Sequence, residues 1–306
     1  MTIRTTFLIV CLLPVAIGAR SDPALPAALP SELPGSAMPI VQEHIYKMAG
    51  RVRALVFWIG RDDVGSGRIR WRGQGEDNAY ELLIGSDPMR APGRLNRWGY
   101  LAEEVQDGEC AVVGVMSKSN EEGLGDVKAD LAKRSAGRPF ETIRGRVTSN
   151  QAFARVTTVQ ASSNATYRDA DAVLGLTLGG ESEANRQIDR PSGARPGFLS
   201  SVAEIIRKTV ASHSRGQRLP AQILPFIYGD RLYELHLLDA TPLARFEHDG
   251  RTYEHVIRGR FETGRPGQSG SRFELVYGTS GPLAEIPILI SYQPKWWLQV
   301  ELTIQS

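Results

Sequence analysis

Glu234, His236 and His255 are the residues whose types and spacing best suit acid–base chemistry in this sequence. Residues two apart in a strand point to the same face, so Glu234 and His236 are expected to lie side by side. His255 joins them if its strand pairs with theirs. A histidine beside a carboxylate is an arrangement that general acid–base catalysis uses. We therefore treat the three as a candidate catalytic group, with ordinary surface strand residues as the alternative.

A second group of candidate residues follows a proline-punctuated stretch of the chain: Arg94, Asn96, Arg97, Trp98 and Tyr100. Arginine and aromatic side chains on loops frequently anchor a ligand or a partner protein. Such side chains also form lids that seal the end of a sheet. The pattern predicts a ligand-binding loop, with a structural lid as the alternative.

Motifs for several other kinds of chemistry are missing from the sequence. There is no GxGxxG or Walker sequence for phosphate binding and no GxSxG serine elbow. The five histidines show no HxH, HxxxH or HExxH spacing, and two cysteines are too few for a zinc knuckle. We expect no metal and no cofactor, and we favour a non-enzymatic role over an enzymatic one.

The overall composition is that of a folded and nearly neutral protein. With 306 residues, of which 42% are hydrophobic, the chain has enough apolar material for a large core. The 36 basic residues are scattered along the chain and nearly balanced by 34 acidic ones. This distribution argues against nucleic acid as a partner.

The N-terminus has the pattern of a secretory signal peptide. Arg4 precedes an apolar run at 7–17, and the small residues Gly18 and Ala19 follow it. The run is shorter than the roughly 20 apolar residues that a spanning helix needs. We therefore expect an exported protein, periplasmic or secreted, that is not integral to the membrane after signal cleavage. Cleavage would leave Cys110 as a single buried thiol without a disulfide partner.

The elements that must position these residues are mainly strands. After Pro220, five consecutive stretches alternate apolar and polar residues and are joined by short turns, which predicts an antiparallel meander. For residues 40–50, a strand that starts near His44 is the alternative to a helix. Further strands are expected at 51–59, 67–71, 78–84, 110–116, 139–147, 151–160 and 172–178, and helices at 40–50, 119–136 and 198–213.

The resulting fold class is mainly β: an antiparallel meander that forms a curved sheet or barrel-like sandwich, with two or three short helices. Repeated prolines mark a linker, and a stretch almost without large apolar residues marks an internal loop. The expected segments are a signal peptide at 1–19, a proline-rich linker at 20–39, an N-terminal β-rich lobe at 40–178, a loop at 179–197, and an amphipathic helix with the C-terminal meander at 198–306.

Two segments carry a resemblance to a known group of proteins. The stretches LLIGSDPMRAPGRLNRWGY and FELVYGTSGPLAEIPILISYQPKWW resemble parts of uncharacterised exported β-rich bacterial envelope proteins. The resemblance implies an envelope location and a β-rich architecture. It transfers no catalytic residue, because that group has no assigned activity.

These observations point to an exported, non-enzymatic envelope protein. Its expected partner is a lipid-like or amphipathic small molecule, or an envelope protein, bound in the concavity of a curved sheet. The alternative is a hydrolase that acts on cell-wall or surface polymers. In that case Glu234, His236 and His255 are the first candidates for catalysis.

Overall fold

The structure is a computed structural model, and it describes residues 38–54, 57–74, 77–91, 94–117, 138–176, 181–268, 270–295 and 298–305. The predicted signal peptide, nearly all of the predicted linker and the predicted helix at 119–136 lie outside these ranges.

Fourteen strands of the described chain form one antiparallel sheet, which confirms the prediction of a mainly β meander. The strands are β1 Ile40–Ala54, β2 Phe57–Gln74, β3 Asp77–Ser86, β4 Trp98–Gln106, β5 Glu109–Ser117, β6 Arg138–Val147, β7 Gln151–Ala161, β8 Glu181–Asp189, β9 Gln222–Tyr228, β10 Arg231–His248, β11 Arg251–Gly264, β12 Ser271–Gly278, β13 Pro287–Lys295 and β14 Leu298–Ile304. The helical elements in the same ranges are α1 Ala170–Gly175, α2 Phe198–Ser214 and 3-10 turns at Tyr167–Asp169 and Gly281–Leu283.

The first and the last strand along the chain, β1 and β14, are neighbours in the middle of the sheet. Strand β1 pairs with β14, so the spatial order runs from β8 back to β1 and then from β14 back to β9. Tyr46 lies opposite Ile304, and Val52 lies opposite Leu298. The pairing of first and last strands joins an N-terminal and a C-terminal meander into one continuous sheet.

Three local predictions were wrong. Residues 40–50 belong to β1 rather than to a helix, because their backbone pairs with β2 and β14 and alternate side chains pack on one face. Residues expected to form a strand at 172–178 instead include α1, which follows a capping box at Thr166 and Asp169. The expected loop at 179–197 contains β8, an edge strand whose backbone pairing with β7 requires no large apolar side chains.

The face of the sheet that contacts α2 is here called the concave face. Its apolar side chains come from both meanders, for example Leu101, Leu235 and Leu302, and they belong to one packed cluster. Helix α2 spans 198–214, close to the predicted 198–213, and adds its own buried stripe to this cluster. The buried apolar residues of the helix are Phe198, Ile205, Ile206 and Val210.

The sheet curls until the turn between β9 and β10 reaches the concave face of β5 to β7. Tyr228 packs there against Ile143 and Ala154. Gly229 follows at φ 62°, a left-handed conformation that favours glycine, and a Cβ on it would lie 2.7 Å from Ile143 Cδ1. The curl brings residues that are far apart in the strand order into one core.

The edge strand β9 is partly covered by the segment that follows β8. The Arg195 N–H donates to the Pro225 carbonyl at 2.8 Å, and the Ile227 N–H donates to the Arg195 carbonyl at 2.8 Å. Pro225 has no N–H of its own, so this edge presents few open donors.

The opposite, convex face is covered at two places. Over β3 to β7 lies the convex cap, residues 162–176, whose Val173 and Leu174 pack into a second apolar cluster with Val113 and Phe140 of the sheet. The cap gives this half of the sheet a core on both faces.

The second cover is the hairpin arm, residues 240–257, formed by the outer halves of β10 and β11. Its tip reaches across the C-terminal meander, where His248 Nε2 lies 2.9 Å from Thr303 Oγ1 of β14. Lys47 Nζ of β1 lies 3.7 Å from Asp249 Oδ2 at the same tip. The tip of the arm thus contacts β1 and β14, the two strands that join the N-terminal and C-terminal meanders.

Candidate functional site

The structure brings Glu234 and His236 together on the convex face of β10. His236 Nε2 lies 3.0 Å from Glu234 Oε2, as the two-residue spacing predicts. His236 also lies opposite Glu262 of β11 in the strand register. The three side chains line a shallow recess of about 160 Å³, closed on one side by the turn that contains Arg265 and Gln268.

Glu262 is already engaged by protein groups. Arg272 Nε donates to Glu262 Oε2 at 2.7 Å, and the Gly270 N–H donates to Glu262 Oε1 at 3.1 Å. These bonds, the one from Arg272 first, hold the pKa of Glu262 below its ordinary value. Glu262 is therefore a fixed negative charge beside the Glu234–His236 pair, and Glu234 is the carboxylate that orients the imidazole.

His255 is not part of this recess. It lies seven residues before Glu262 on β11, which corresponds to about 23 Å of extended strand. His255 has φ 52°, a left-handed backbone conformation inside the strand, and its carbonyl accepts hydrogen bonds from the Thr279 N–H and Oγ1. The sequence could not separate it from the pair, because the alternation of apolar residues does not reveal how far β10 and β11 extend beyond the recess.

The predicted binding loop is mostly turned into the protein. Arg94 is exposed, with φ 54°, and Arg97 is half-buried, but Asn96 and Trp98 are buried. Asn96 Nδ2 and Trp98 Nε1 both donate to the Ala165 carbonyl of the convex cap, at 2.9 Å and 3.1 Å. These two side chains therefore hold the cap onto the sheet.

Tyr100, the last residue of that group, lies in the convex apolar cluster. Burial is the main reason that its phenol pKa lies above the ordinary value, with Glu81 as a further cause. Ser86 Oγ, which accepts from the Arg97 N–H at 2.8 Å, fixes the path of the loop. Asn96, Trp98 and Tyr100 therefore form a seal between the sheet and the cap.

Three arginines share one face of β2, as the alternation of residues 68–72 predicts. Arg70 pairs with Glu43 of β1, and Arg72 Nε lies 2.6 Å from Glu81 Oε1 of β3. Two of the three guanidinium groups are thus neutralised within the sheet. This surface does not present a free row of positive charge to an anionic ligand.

Glu103 of β4 is a buried charged residue that the sequence analysis did not identify. Its carboxylate is fully buried on the concave face and accepts hydrogen bonds from the backbone N–H groups of Phe198, at 2.7 Å, and Ser200, at 3.0 Å. The N-cap residue of α2, Gly197, contributes no side-chain bond, and a Cβ at that position would overlap Glu103 Oε2. The carboxylate of β4 therefore replaces the missing cap.

Arg138, the first residue of β6, is the second residue that was missed. It is only 4% exposed, and its Nη1 donates to the Asn96 carbonyl. A signal was available in the sequence, since Arg138 directly precedes the apolar pattern of a predicted strand. Its contact with Asn96 joins residues that are 42 positions apart in the sequence, and the sequence pattern did not reveal it.

Comparison with known protein families, with characterised proteins and with solved structures found no match to this chain. Within the described ranges, no group of three or more His, Cys, Asp or Glu residues is arranged to hold a metal ion. None of the helices described here combines the length and the apolar character needed to cross a membrane.

Proposed function

We propose that the protein is an exported, non-enzymatic envelope protein that binds an apolar or amphipathic molecule on the concave face of its sheet. The observation that carries the proposal is the way α2 covers this face. One amphipathic helix, supplied by a single segment between the two meanders, occupies the apolar surface that a ligand would use. In this proposal α2 is a displaceable cover.

The free energy gained by burying α2 is similar to that gained by burying an acyl chain. Four apolar side chains of α2 are buried, and each contributes about 1.5–3 kcal/mol on burial. An acyl chain gains about 0.8 kcal/mol for each buried CH₂ group, so about ten such groups match the helix. A medium-length acyl chain is therefore the smallest ligand that we expect to replace α2.

The first test is native mass spectrometry, together with organic extraction, of the protein purified from its own host. We expect one bound apolar or amphipathic molecule per chain. A reproducibly empty protein would argue against the proposal.

A variant of α2 makes the test sharper. Ile205→Ala weakens the docking of the helix by about 2–5 kcal/mol but removes nothing from the sheet that receives the ligand. We expect the affinity for a fluorescent fatty acid to rise at least tenfold, since about 1.4 kcal/mol corresponds to one factor of ten. Lys208→Ala, on the exposed side of the helix, is the matched control and should leave the affinity nearly unchanged.

The second candidate function is hydrolysis of cell-wall or surface polymers. The specific observation in its favour is the 3.0 Å contact between Glu234 and His236 in an open recess beside Glu262. His236→Asn should then abolish release of soluble fragments from purified cell walls. His255→Asn is the control, because His255 lies far along β11. Equal activity of all three proteins would rule out the Glu234–His236 recess as the catalytic site, and no activity in the wild type would rule out this function.

A further inference from the structure

Arg138 lies at the start of β6, where it contacts Asn96, one of the residues that hold the convex cap. It begins β6 at a point where its Cα pairs with Ala161 of β7, directly before the cap starts. Its neighbours on the convex face include Phe140, and Trp98 packs on that ring with the centroids 4.9 Å apart. A charged side chain that is 4% exposed is thus set among aromatic and apolar groups.

Described protein groups accept hydrogen bonds from only part of this guanidinium. Its Nη1 donates to the Asn96 carbonyl, and its Cζ lies over the Phe140 ring, 5.6 Å from the ring centre. Among the described residues, neither Nε nor Nη2 has a hydrogen-bond partner, and no salt bridge links Arg138 to a carboxylate. The face and one end of the group are occupied, and one edge is buried without a hydrogen-bond partner.

The chemistry of that unpaired edge is specific. An arginine keeps its positive charge at physiological pH, so it cannot escape the cost of burial by losing a proton. Nε–H and the adjacent Nη2–H point in parallel, and this fork matches the two oxygens of a carboxylate or a phosphate. A low-dielectric site of this kind strengthens the attraction for an anion.

We propose that Arg138 is the binding residue of an oxyanion site beneath the convex cap, which takes a carboxylate or phosphate group through two parallel hydrogen bonds. Asn96 positions the guanidinium through its carbonyl, while its side-chain amide holds the cap. The site lies on the face opposite α2. It is therefore independent of ligand binding on the concave face, and either proposal can fail alone.

The test measures the thermal unfolding midpoint in sodium chloride, sodium acetate, sodium decanoate and sodium phosphate at matched ionic strength. For the wild type we expect a saturable rise in Tm above the chloride value, of about 5 °C at roughly 100 times the Kd. The acetate and decanoate arms identify a carboxylate, free or attached to an acyl chain, and the phosphate arm identifies a phosphoryl group.

Three variants test whether the anion-dependent rise in Tm depends on the parallel Nε–H and Nη2–H groups of Arg138. Arg138→Met should abolish the anion-dependent rise while keeping or raising Tm in chloride, because it removes an unpaired buried charge. Arg138→Lys keeps the charge but lacks the fork, so it should lose most of the rise. Arg146→Met, on the same strand at an exposed ion pair with Glu109, is the control and should respond like the wild type.

The wild-type titration decides the proposal even if a variant does not fold. A wild type whose Tm is the same in all four salts would overturn it and would indicate that water pairs with Nε and Nη2. A rise in acetate or phosphate that Arg138→Met and Arg146→Met share would also overturn it, because the anion would then act elsewhere.

Discussion

Glu103 holds the first turn of α2 from a strand that lies 95 residues earlier in the chain. No salt bridge within the described ranges involves it, and the titratable groups that face it are Tyr80 of β3, Cys110 of β5 and Tyr228 of β9. Backbone N–H groups and the positive end of the helix therefore stabilise its negative charge. Burial nevertheless dominates and raises the pKa of Glu103 above its ordinary value.

We expect Glu103→Gln to remove a pH-dependent contribution to stability. Because its pKa is raised above 4.5, the folded chain holds this proton more tightly than the unfolded chain does. The contribution is fully present below about pH 4.5 and is lost as the pH rises through the folded-state pKa. Urea unfolding from about pH 4 to pH 8 should therefore show the wild type losing stability relative to Glu103→Gln.

The exposed carboxyl of Glu254 offers the control for this measurement. Glu254→Gln should follow the wild type across the whole pH range. If the stability of Glu103→Gln also ran parallel to that of the wild type, the carboxyl of Glu103 would not be buried as described.

Cys110 should be unreactive in the native protein. It is buried on the concave face, and burial is the main reason that its pKa lies well above the ordinary value of 9.0, so little thiolate forms. In a Cys11→Ser background, we expect a thiol reagent to label Cys110 only at the rate at which the protein opens. Rapid labelling at neutral pH, as fast as in urea, would contradict this expectation.

At the scale of elements, the close pairing of β2 and β3 depends on glycine. A Cβ on Gly65 would overlap the Gly85 carbonyl and lie 2.8 Å from Ser86 Cα. Both contacts are with backbone, which cannot move aside as a flexible side chain can. The same strand contains Gly73, where the nearest atom to an added Cβ is 3.5 Å away.

We expect Gly65→Ala to lower the free energy of unfolding by about 3 kcal/mol, the upper end of the range for overpacking. Gly73→Ala is the matched control, and it should be neutral or slightly stabilising because it restricts the unfolded chain. Urea unfolding of the two variants measures the difference. Equal midpoints would show that β2 and β3 are further apart than described.

Elements with a strong periodic pattern were predictable from sequence. The strand at 139–147 and the helix at 198–213 were predicted within a residue of the observed β6 and α2, because alternation and the 3.6-residue stripe each persist over several turns or pairs. The short α1 and the polar β8 were not, since a capping box and backbone pairing with β7 outweigh their side-chain patterns.

At the scale of the whole molecule, the pairing of β1 with β14 makes the two meanders parts of one sheet. The concave cluster takes side chains from both, and α2 packs between them. We therefore expect a single cooperative unfolding transition rather than independent unfolding of residues 40–178 and 198–306.

Deletion of 298–306 tests this expectation. The truncation exposes the edges of β1 and β13 and removes Leu302 and Ile304 from the core, so we expect Tm to fall sharply for the whole chain. Differential scanning calorimetry and limited proteolysis measure the effect. A protease-resistant fragment near 40–178 with its own unfolding transition would instead show that the N-terminal meander is a separate domain.

The sequence by itself determined the fold class, the meander and the pairing of Glu234 with His236. These properties depend on local alternation, which a strand's two-residue period expresses directly. The tertiary structure decided where the meanders join, which face α2 covers, and how Glu103 and Arg138 are buried. These features arise from contacts between residues that are distant in sequence, and no local pattern encodes which distant backbone or carbonyl a buried charge will meet.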